Sequence, residues 1–279
     1  MAKLITRRRF LASAFGTLLA GGIAGYSFWE CGDLEVVPVD VPLAGLPRGF
    51  RGCRIAFLSD FHHGPFISRE HIAGAVGLAN AAHPDLVLLG GDFIHRETSY
   101  LAPVAEELGK LSAPLGVFAV LGNRDIFGNR MMASKELARN GIRELTNKGL
   151  WIEREGSRIW LCGMDDYTIG RPDPKAAMVG APPDAFALAI THNPDVCEKL
   201  DEPRIRLVCC GHTHGGQINF PLWGRPFVPS AYGEKYALGL VKAPSTKVYV
   251  TTGVGSVFPP LRFRCPPEVA LLRLVSAGD

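Results

Sequence analysis

Two histidines stand two residues apart in a glycine-flanked segment, residues 210–217, and imidazole is the commonest side-chain ligand for metal ions in proteins. His212 and His214 follow an apolar run at 205–210, which predicts a short buried strand. Glycines beyond the strand allow the backbone to turn tightly, so the two rings can reach neighbouring points. The pair alone is compatible with a metal site or with a polar loop, and other parts of the chain must distinguish them.

Four other apolar runs along the chain predict short strands, because each is a few residues long and is bounded by polar or turn-forming residues. Helices predicted at 68–82 and 100–111 separate the first three runs, which is the pattern of parallel strand–helix units. A further helix is predicted at 130–140, where Gly141 ends it. The four runs span residues 53–59, 85–89, 116–121 and 185–190.

Each of these strands ends in side chains that can bind a metal ion. The carboxyl ends of the strands in an open α/β sheet lie at one edge, which is where such sheets place their ligands. A set of carboxylate, amide and imidazole groups suits two divalent metals that share one carboxylate. Together with the histidine pair, the strand ends supply seven ligand-type residues: Asp60, His62, Asp92, Asn123, His192, His212 and His214.

The order of these motifs resembles that of the calcineurin-like metallophosphoesterases. The motifs Asp-x-His, Gly-Asp, Gly-Asn-x-Asp, His and Gly-His-x-His occur in this order between residues 60 and 214. The resemblance implies a four-layer α/β/β/α sandwich, and it covers essentially the whole domain predicted at 50–279. The sequences around His192 and His212 resemble those of one bacterial branch of the family, whose members have an N-terminal signal or anchor. Some members of that branch are phosphodiesterases or UDP-2,3-diacylglucosamine hydrolases of lipid A synthesis.

Transferred to this chain, the resemblance implies two metal positions that share Asp92. The implied cofactors are two divalent ions, with manganese first and iron, zinc or magnesium as alternatives. Because two cations lower the pKa of a water between them, a bridging hydroxide is the implied nucleophile. The first position takes Asp60, His62, Asp92 and His214, and the second takes Asp92, Asn123, His192 and His212.

Arg124 departs from the family pattern, since most members have histidine at this position. Arginine stays protonated in proteins, so Arg124 cannot act as a general acid, but it can neutralise charge on a phosphoryl group. Asp125 is expected to orient Arg124 through a salt bridge. Arg262 and Arg264, in a proline-rich loop before the last predicted strand, are further candidate substrate-binding residues.

Residues 1–29 predict a targeting segment, followed by a linker at 30–49. Residues 33–49, rich in Val, Pro and Asp, are expected to form an extended linker or an edge strand. Arg7 and Arg8 belong to a basic cluster before an uncharged stretch at 10–29, which is typical of a twin-arginine export signal. The uncharged stretch is also just long enough to span a bilayer, so cleavage and retention as a membrane anchor both stay open. We therefore expect contact with the twin-arginine export machinery and a domain in the periplasm or at the outer face of the cytoplasmic membrane.

Charge and cysteine content exclude several other classes of protein. The formal net charge is +3, and the basic cluster at the N-terminus accounts for it, so the domain itself lacks the basic surface of a nucleic-acid-binding protein. The seven cysteines are an odd number and include no Cys-x-x-Cys pair, which argues against a disulfide scaffold or a zinc finger.

The sequence therefore predicts a metal-dependent hydrolase of a phosphodiester or pyrophosphate bond, with a lipid-linked ester such as UDP-2,3-diacylglucosamine as one candidate substrate. One alternative is a phosphodiesterase or phosphatase acting on a soluble substrate. The other is a non-catalytic metal-binding membrane protein, against which the complete set of seven ligands argues.

Overall fold

The computed structural model describes residues 7–278. Residues 1–6, where the predicted export segment begins, lie outside this range. Within the described range, no helix is both long enough and apolar enough to cross a membrane. The helices are α1 (Arg7–Glu30), α2 (Arg69–Ala81), α3 (Leu101–Leu108), α4 (Asn123–Arg139) and α5 (Pro174–Ala177).

The described strands form two six-stranded sheets. The first sheet combines strands from both ends of the chain, and the second is formed by strands from its middle and later part. The strands are β1 (Glu35–Leu43), β2 (Arg54–Leu58), β3 (Leu86–Leu89), β4 (Val117–Ala119), β5 (Arg143–Glu144), β6 (Lys148–Arg154), β7 (Ser157–Gly163), β8 (Ala187–Ile190), β9 (Ile205–Cys210), β10 (Gly239–Lys242), β11 (Lys247–Val250) and β12 (Glu268–Ser276).

The strand order explains why the polar strand ends meet. The first sheet has the order β1-β12-β2-β3-β4-β5, in which β2, β3, β4 and β5 are parallel neighbours. The second sheet has the order β10-β11-β9-β8-β7-β6, in which β7, β8, β9 and β11 are parallel neighbours. Because neighbouring parallel strands end at the same edge, each sheet brings its strand-end loops together.

Successive side chains along each strand point to opposite faces of the sheet, and this alternation divides the core into layers. In β2, Ile55 and Phe57 face the second sheet, whereas Ala56 and Leu58 face the cluster that includes the buried side of α2. A third apolar cluster, around Trp160, covers the outer face of the second sheet together with α5. Two sheets packed face to face and covered on their outer faces confirm the predicted α/β class and the four-layer arrangement.

Helix α4 begins earlier than the sequence pattern indicated, at Asn123 instead of near residue 130. The carboxylate of Asp125 accepts the backbone N–H of Gly122 at 2.9 Å, which caps the first turn. The regular helix is interrupted at Asn129, where φ is −169°. Asn123 and Arg124 are therefore the first residues of a helix whose N-terminus points into the strand-end edge.

The folded unit starts upstream of residue 50. Residues 35–43, expected to form a linker or an edge strand, form strand β1, which pairs in parallel with β12 at the sheet edge. The last turn of α1 also packs on the domain: the backbone N–H of Arg262 donates to the Ser27 carbonyl at 3.0 Å. The backbone N–H of Cys265 reaches the buried carboxylate of Glu30 at 3.3 Å.

Candidate metal centre

The candidate ligands lie on turns whose backbone is in the left-handed region. Positive φ is uncommon outside glycine, Asp and His tolerate it better than most residues, and such positions cluster at functional sites. These turns direct side chains from different strand ends to one point. Five of the seven predicted ligands have positive φ: Asp60 (57°), His62 (46°), Asp92 (52°), His212 (71°) and His214 (52°).

One group of buried ligand atoms lies at the end of β2 and beside the histidine pair. The Nε2 atoms of His62 and His214 are 3.0 Å apart, and the Oδ1 atom of Asp60 is 3.9 Å and 3.5 Å from them, respectively. A cation about 2.0–2.1 Å from each of two imidazole nitrogens requires such a separation. These three residues can therefore hold one metal ion.

A second group lies at the ends of β4, β8 and β9. The Oδ1 atom of Asn123 is 3.1 Å from His192 Nε2 and 3.2 Å from His212 Nδ1, and these two nitrogens are 3.2 Å apart. The other ring nitrogen of His192, Nδ1, lies 2.9 Å from the Gly90 carbonyl. Nδ1 donates to this carbonyl, so Nε2 is the ring nitrogen that faces the centre.

Asp92 lies between the two groups. Its Oδ2 atom is 3.6 Å from His62 Nε2 in the first group and 3.4 Å from His192 Nε2 in the second. Its Oδ1 atom accepts the backbone N–H of Arg124 at 2.7 Å, which fixes the orientation of the carboxylate. One carboxylate oxygen is therefore positioned to serve both metal positions, as the sequence predicts for a shared ligand.

The electrostatics of the centre favour bound cations. Burial lowers the pKa of His62 to about 4 and that of His212 to about 3, so both imidazoles are neutral at pH 7 and have a lone pair for a metal. Burial also lowers the pKa of His192, but the charges of Asp92 and Asp60 outweigh it and raise this pKa well above its usual value. The two buried carboxylates thus attract positive charge, and the donor set fits divalent metals.

Residues 53–216 match the family model of the calcineurin-like phosphoesterases, and this match includes all seven candidate ligands. The chain belongs to the calcineurin-like phosphoesterase family. It is 31% identical to the metallophosphoesterase YkuE of Bacillus subtilis (strain 168), over 99% of this chain and 100% of that protein. It is 33% identical to the phosphodiesterase YaeI of Escherichia coli (strain K12), over 98% of this chain and 100% of that protein.

Among solved structures, the chain matches TT1561 of Thermus thermophilus. It is 13% identical in sequence and has a TM-score of 0.49, with 72% of this chain and 89% of that chain covered. The family membership of this chain rests on the sequence matches, and the metal positions rest on its own geometry.

Asp125 has a different role from the one expected within this phosphoesterase centre. The predicted salt bridge to Arg124 is absent from the ion pairs found among residues 7–278. Instead, the buried carboxylate accepts backbone N–H groups from Gly122 and Phe93 at 2.9 Å each and from Ile94 at 3.4 Å. The reason is the early start of α4, which directs Asp125 back to its own helix cap and to the loop after β3. Asp125 therefore shapes the turn that presents Asn123.

Arg262 and Arg264, the expected substrate-binding residues, differ sharply in their surroundings. The guanidinium of Arg262 is fully buried and donates to the carbonyls of Thr252 (2.7 Å) and Cys265 (2.9 Å), among others. Arg262 is thus occupied in holding its own loop and does not reach substrate. Arg264 is exposed, with a positive φ of 52°, and stays a candidate.

Two further histidines neighbour the ligands. The His95 ring lies 6.0 Å from that of His62, and the charge of Arg124 lowers the His95 pKa together with burial, which is the larger cause. His95 lines the centre, and sequence reasoning missed it, although it follows Asp92 by three residues. The Nδ1 atom of His63, which follows the ligand His62, lies 2.9 Å from the Ile67 carbonyl, so this residue supports the loop.

Close packing around Asp92 yields a test of the geometry. An added Cβ at Gly122 would lie 2.2 Å from Asp92 Oδ1, whereas one at Gly77 in α2 would meet nothing within 4 Å. We expect Gly122→Ala to displace the shared carboxylate and to lower phosphodiester turnover more than about 10-fold. A loss of this size is typical when residues that contact metal ligands are changed. Gly77→Ala should leave turnover unchanged and raise the urea midpoint slightly, because alanine favours helix by about 1 kcal/mol.

Turnover of bis(p-nitrophenyl) phosphate and circular dichroism of both variants would check this prediction. Equal turnover by Gly122→Ala and the unaltered protein would contradict the close approach of residue 122 to the shared ligand.

Proposed function

We propose that the protein is a two-metal hydrolase of phosphodiester or pyrophosphate bonds. The observation that supports this most strongly is the position of Asp92 Oδ2, within 3.6 Å of one imidazole in each ligand group. The likeness to the phosphodiesterase YaeI, over nearly the full length of both chains, supports the same reaction class.

The chain's own residues supply the binding groups for this reaction. Two divalent cations, when bound, lower the pKa of a coordinated water and neutralise charge on phosphoryl oxygens. His62 and His212 present neutral imidazoles, because burial lowers their pKa values, and Asp92 presents one carboxylate to both positions. Burial of the ligand side chains excludes bulk water, which strengthens electrostatic interactions in the centre.

Arg124 determines which bonds can be cleaved. Its backbone N–H donates to Asp92 Oδ1 at 2.7 Å, so Arg124 lies at the centre, and its charge adds to burial in lowering the pKa values of His62, His95 and His212. There it can neutralise a phosphoryl oxygen, but it has no proton to give at neutral pH. A phosphate leaving group departs without protonation because its second pKa is about 6, whereas a simple alkoxide needs a proton donor. Substrates with good leaving groups are therefore favoured.

A lipid-linked pyrophosphate is the substrate class that we propose first. The Asn-Arg-Asp sequence at 123–125 resembles that of family members that cleave UDP-2,3-diacylglucosamine, whose bond is a pyrophosphate. Export by the twin-arginine pathway would place the domain outside the cytoplasmic membrane, whereas UDP-sugars are made inside the cell. A pyrophosphate or phosphodiester with a lipid part, accessible from outside, meets both conditions. A soluble diester is the alternative.

The leaving-group argument predicts the behaviour of Arg124→His. Imidazole can donate a proton near neutral pH, so this variant should cleave alkyl esters with poor leaving groups better, relative to activated aryl esters, than the unaltered protein does. The measurement is the rate for a series of phosphodiesters plotted against leaving-group pKa. We expect a steep slope for the unaltered protein and a shallower one for Arg124→His.

Arg124→Met provides the matched control, since methionine has a similar length and no proton to donate to a leaving group, so its rates should fall while their dependence on leaving-group pKa stays the same. Its slope should match that of the unaltered protein. Equal slopes for all three proteins would refute the leaving-group argument and leave the two-metal assignment standing.

A further inference from the structure

Large aromatic side chains stay exposed on loops around the metal centre. Trp223 is 81% exposed on the loop after His214, Phe258 is 70% exposed on the loop after β11, and Phe66 is 48% exposed on the loop after His62. Trp29, at the end of α1, is 61% exposed. A contiguous exposed apolar surface on a folded domain indicates an interaction site. We call these four residues the aromatic rim.

Ring contacts connect one side of the aromatic rim to the metal ligands. The Phe258 ring lies 5.8 Å from that of Phe66, and the Phe66 ring lies 6.1 Å from that of His95. His95 in turn lies 6.0 Å from the ring of His62. The exposed phenyl groups therefore lie on the side of the domain where His95 and His62 are found.

The other side of the aromatic rim is also continuous. Centroid distances of 5.6–6.1 Å join successive rings from the loop after His214 to the end of α1. Gln217 ties this loop to the loop that contains Phe258, because its side chain donates to the Pro259 carbonyl at 3.2 Å. The joined rings are Trp223, Phe220, Phe263, Tyr26 and Trp29.

The two loops that contain Trp223 and Phe258 have a one-sided charge. Residues 215–232 and 253–267 include three arginines, at 225, 262 and 264, and no Asp or Glu, although the exposed Glu234 beside the first loop accepts the backbone N–H of Arg225 at 3.0 Å. Arg262 is buried, while Arg264 is exposed and Arg225 is half-buried. An apolar, aromatic surface with a positive edge complements an anionic phospholipid surface, where Trp and Tyr favour the headgroup region.

We propose that the aromatic rim docks the face of the domain beside the metal centre on the surface of an anionic phospholipid bilayer. The uncharged stretch at 10–29 ends at Trp29, so the N-terminal helix joins the domain at this same face. The biological purpose, access to a lipid-linked phosphoester, rests on the proposed function, but the docking does not. The occupant is the bilayer surface, and peripheral contact requires no membrane-spanning helix.

Tryptophan fluorescence of the full chain can locate the docked face. Trp29→Phe leaves Trp223 as the exposed reporter, since Trp160 is buried and packs with half-buried Trp151 on the β6–β7 hairpin. The probe is a vesicle of phosphatidylcholine and phosphatidylglycerol, with or without brominated acyl chains. We expect brominated vesicles to quench Trp29→Phe, and the Trp29→Phe/Trp223→Phe double variant to show no such quenching. Vesicles without phosphatidylglycerol should bind several-fold more weakly.

Two variants separate docking from catalysis. Asp92→Asn should show the same vesicle sedimentation as the unaltered protein while losing ester turnover, so failure of the proposed function leaves the docking result interpretable. Trp223→Ser/Phe258→Ser should reduce sedimentation at least about 10-fold, because it removes two apolar side chains that the bilayer would cover. Val179→Ser, at a 74% exposed position that follows α5, is the control and should bind like the unaltered protein.

Three results would overturn the proposal. The first is a chain that stays in the supernatant with anionic vesicles. The second is a chain that sediments without quenching of Trp223, which would mean that the N-terminal helix alone holds it. The third is a stable dimer that shields Trp223 from both water and lipid, which would mean that a second copy covers the aromatic rim.

Discussion

Asp92→Asn is expected to abolish both metal binding and turnover. Asp92 Oδ1 accepts the Arg124 N–H at 2.7 Å, so the amide oxygen of the variant must keep that position. The amide nitrogen then points at the centre, where it offers no lone pair to a cation. Turnover should fall by more than about 100-fold, because changing residues that only contact the metal ligands already lowers metal affinity or activity by about 10–100-fold.

Metal content after gel filtration and turnover of bis(p-nitrophenyl) phosphate would measure this effect. Asp40→Asn is the matched control, since it removes the same charge from an exposed pair with Arg273. Exposed pairs contribute about 0–1 kcal/mol, so this variant should keep its metals and its activity. If the Asp92→Asn variant retained two metal ions per chain, the assignment of Asp92 as a shared ligand would be refuted.

Arg262→Met is expected to destabilise the fold strongly. The fully buried guanidinium satisfies carbonyls of the turn at 252–255, and the backbone N–H of Gly255 in that turn donates to the Asp60 carbonyl at 2.7 Å. Methionine has a similar volume but leaves these buried carbonyls without donors. Each buried carbonyl left without a donor costs about 1–3 kcal/mol, so we expect a total loss of at least about 3 kcal/mol, and Asp60 should shift as well.

Urea denaturation of Arg262→Met would report the free energy of unfolding. Arg264→Met removes the same charge two residues away from an exposed position, so its unfolding free energy should change by less than about 0.5 kcal/mol. Similar urea midpoints for the two variants would show that the buried arginine is not needed to hold the loop.

The layered fold was predictable because its strands are unusually clear in the sequence. The strand predicted at 53–59 is observed at Arg54–Leu58, and the one at 205–210 is observed as Ile205–Cys210. Continuous apolar runs of this kind are buried on both faces, between the second sheet and the helices. The start of α4 was not predictable from periodicity, because the Gly122–Asp125 cap, not an apolar stripe, begins that helix.

The grouping of the ligands followed from a simple rule about parallel strands, but the roles of nearby residues did not. Positive φ at Asp60 and His212 lets loops from two sheets converge, and such backbone is not visible in a sequence. The burial of Arg262 was equally hidden, because a basic residue in a proline-rich loop usually faces solvent. The aromatic rim depends on contacts between loops far apart in the chain.

Titration of the chelator-treated protein with Mn²⁺, followed by turnover of bis(p-nitrophenyl) phosphate, tests the two-metal centre most directly. We predict negligible turnover without added metal and a rise that reaches its plateau at two equivalents per chain, because both ligand groups and the shared Asp92 must be occupied. Full turnover after exhaustive chelation, or a plateau at one equivalent, would contradict the two-metal assignment.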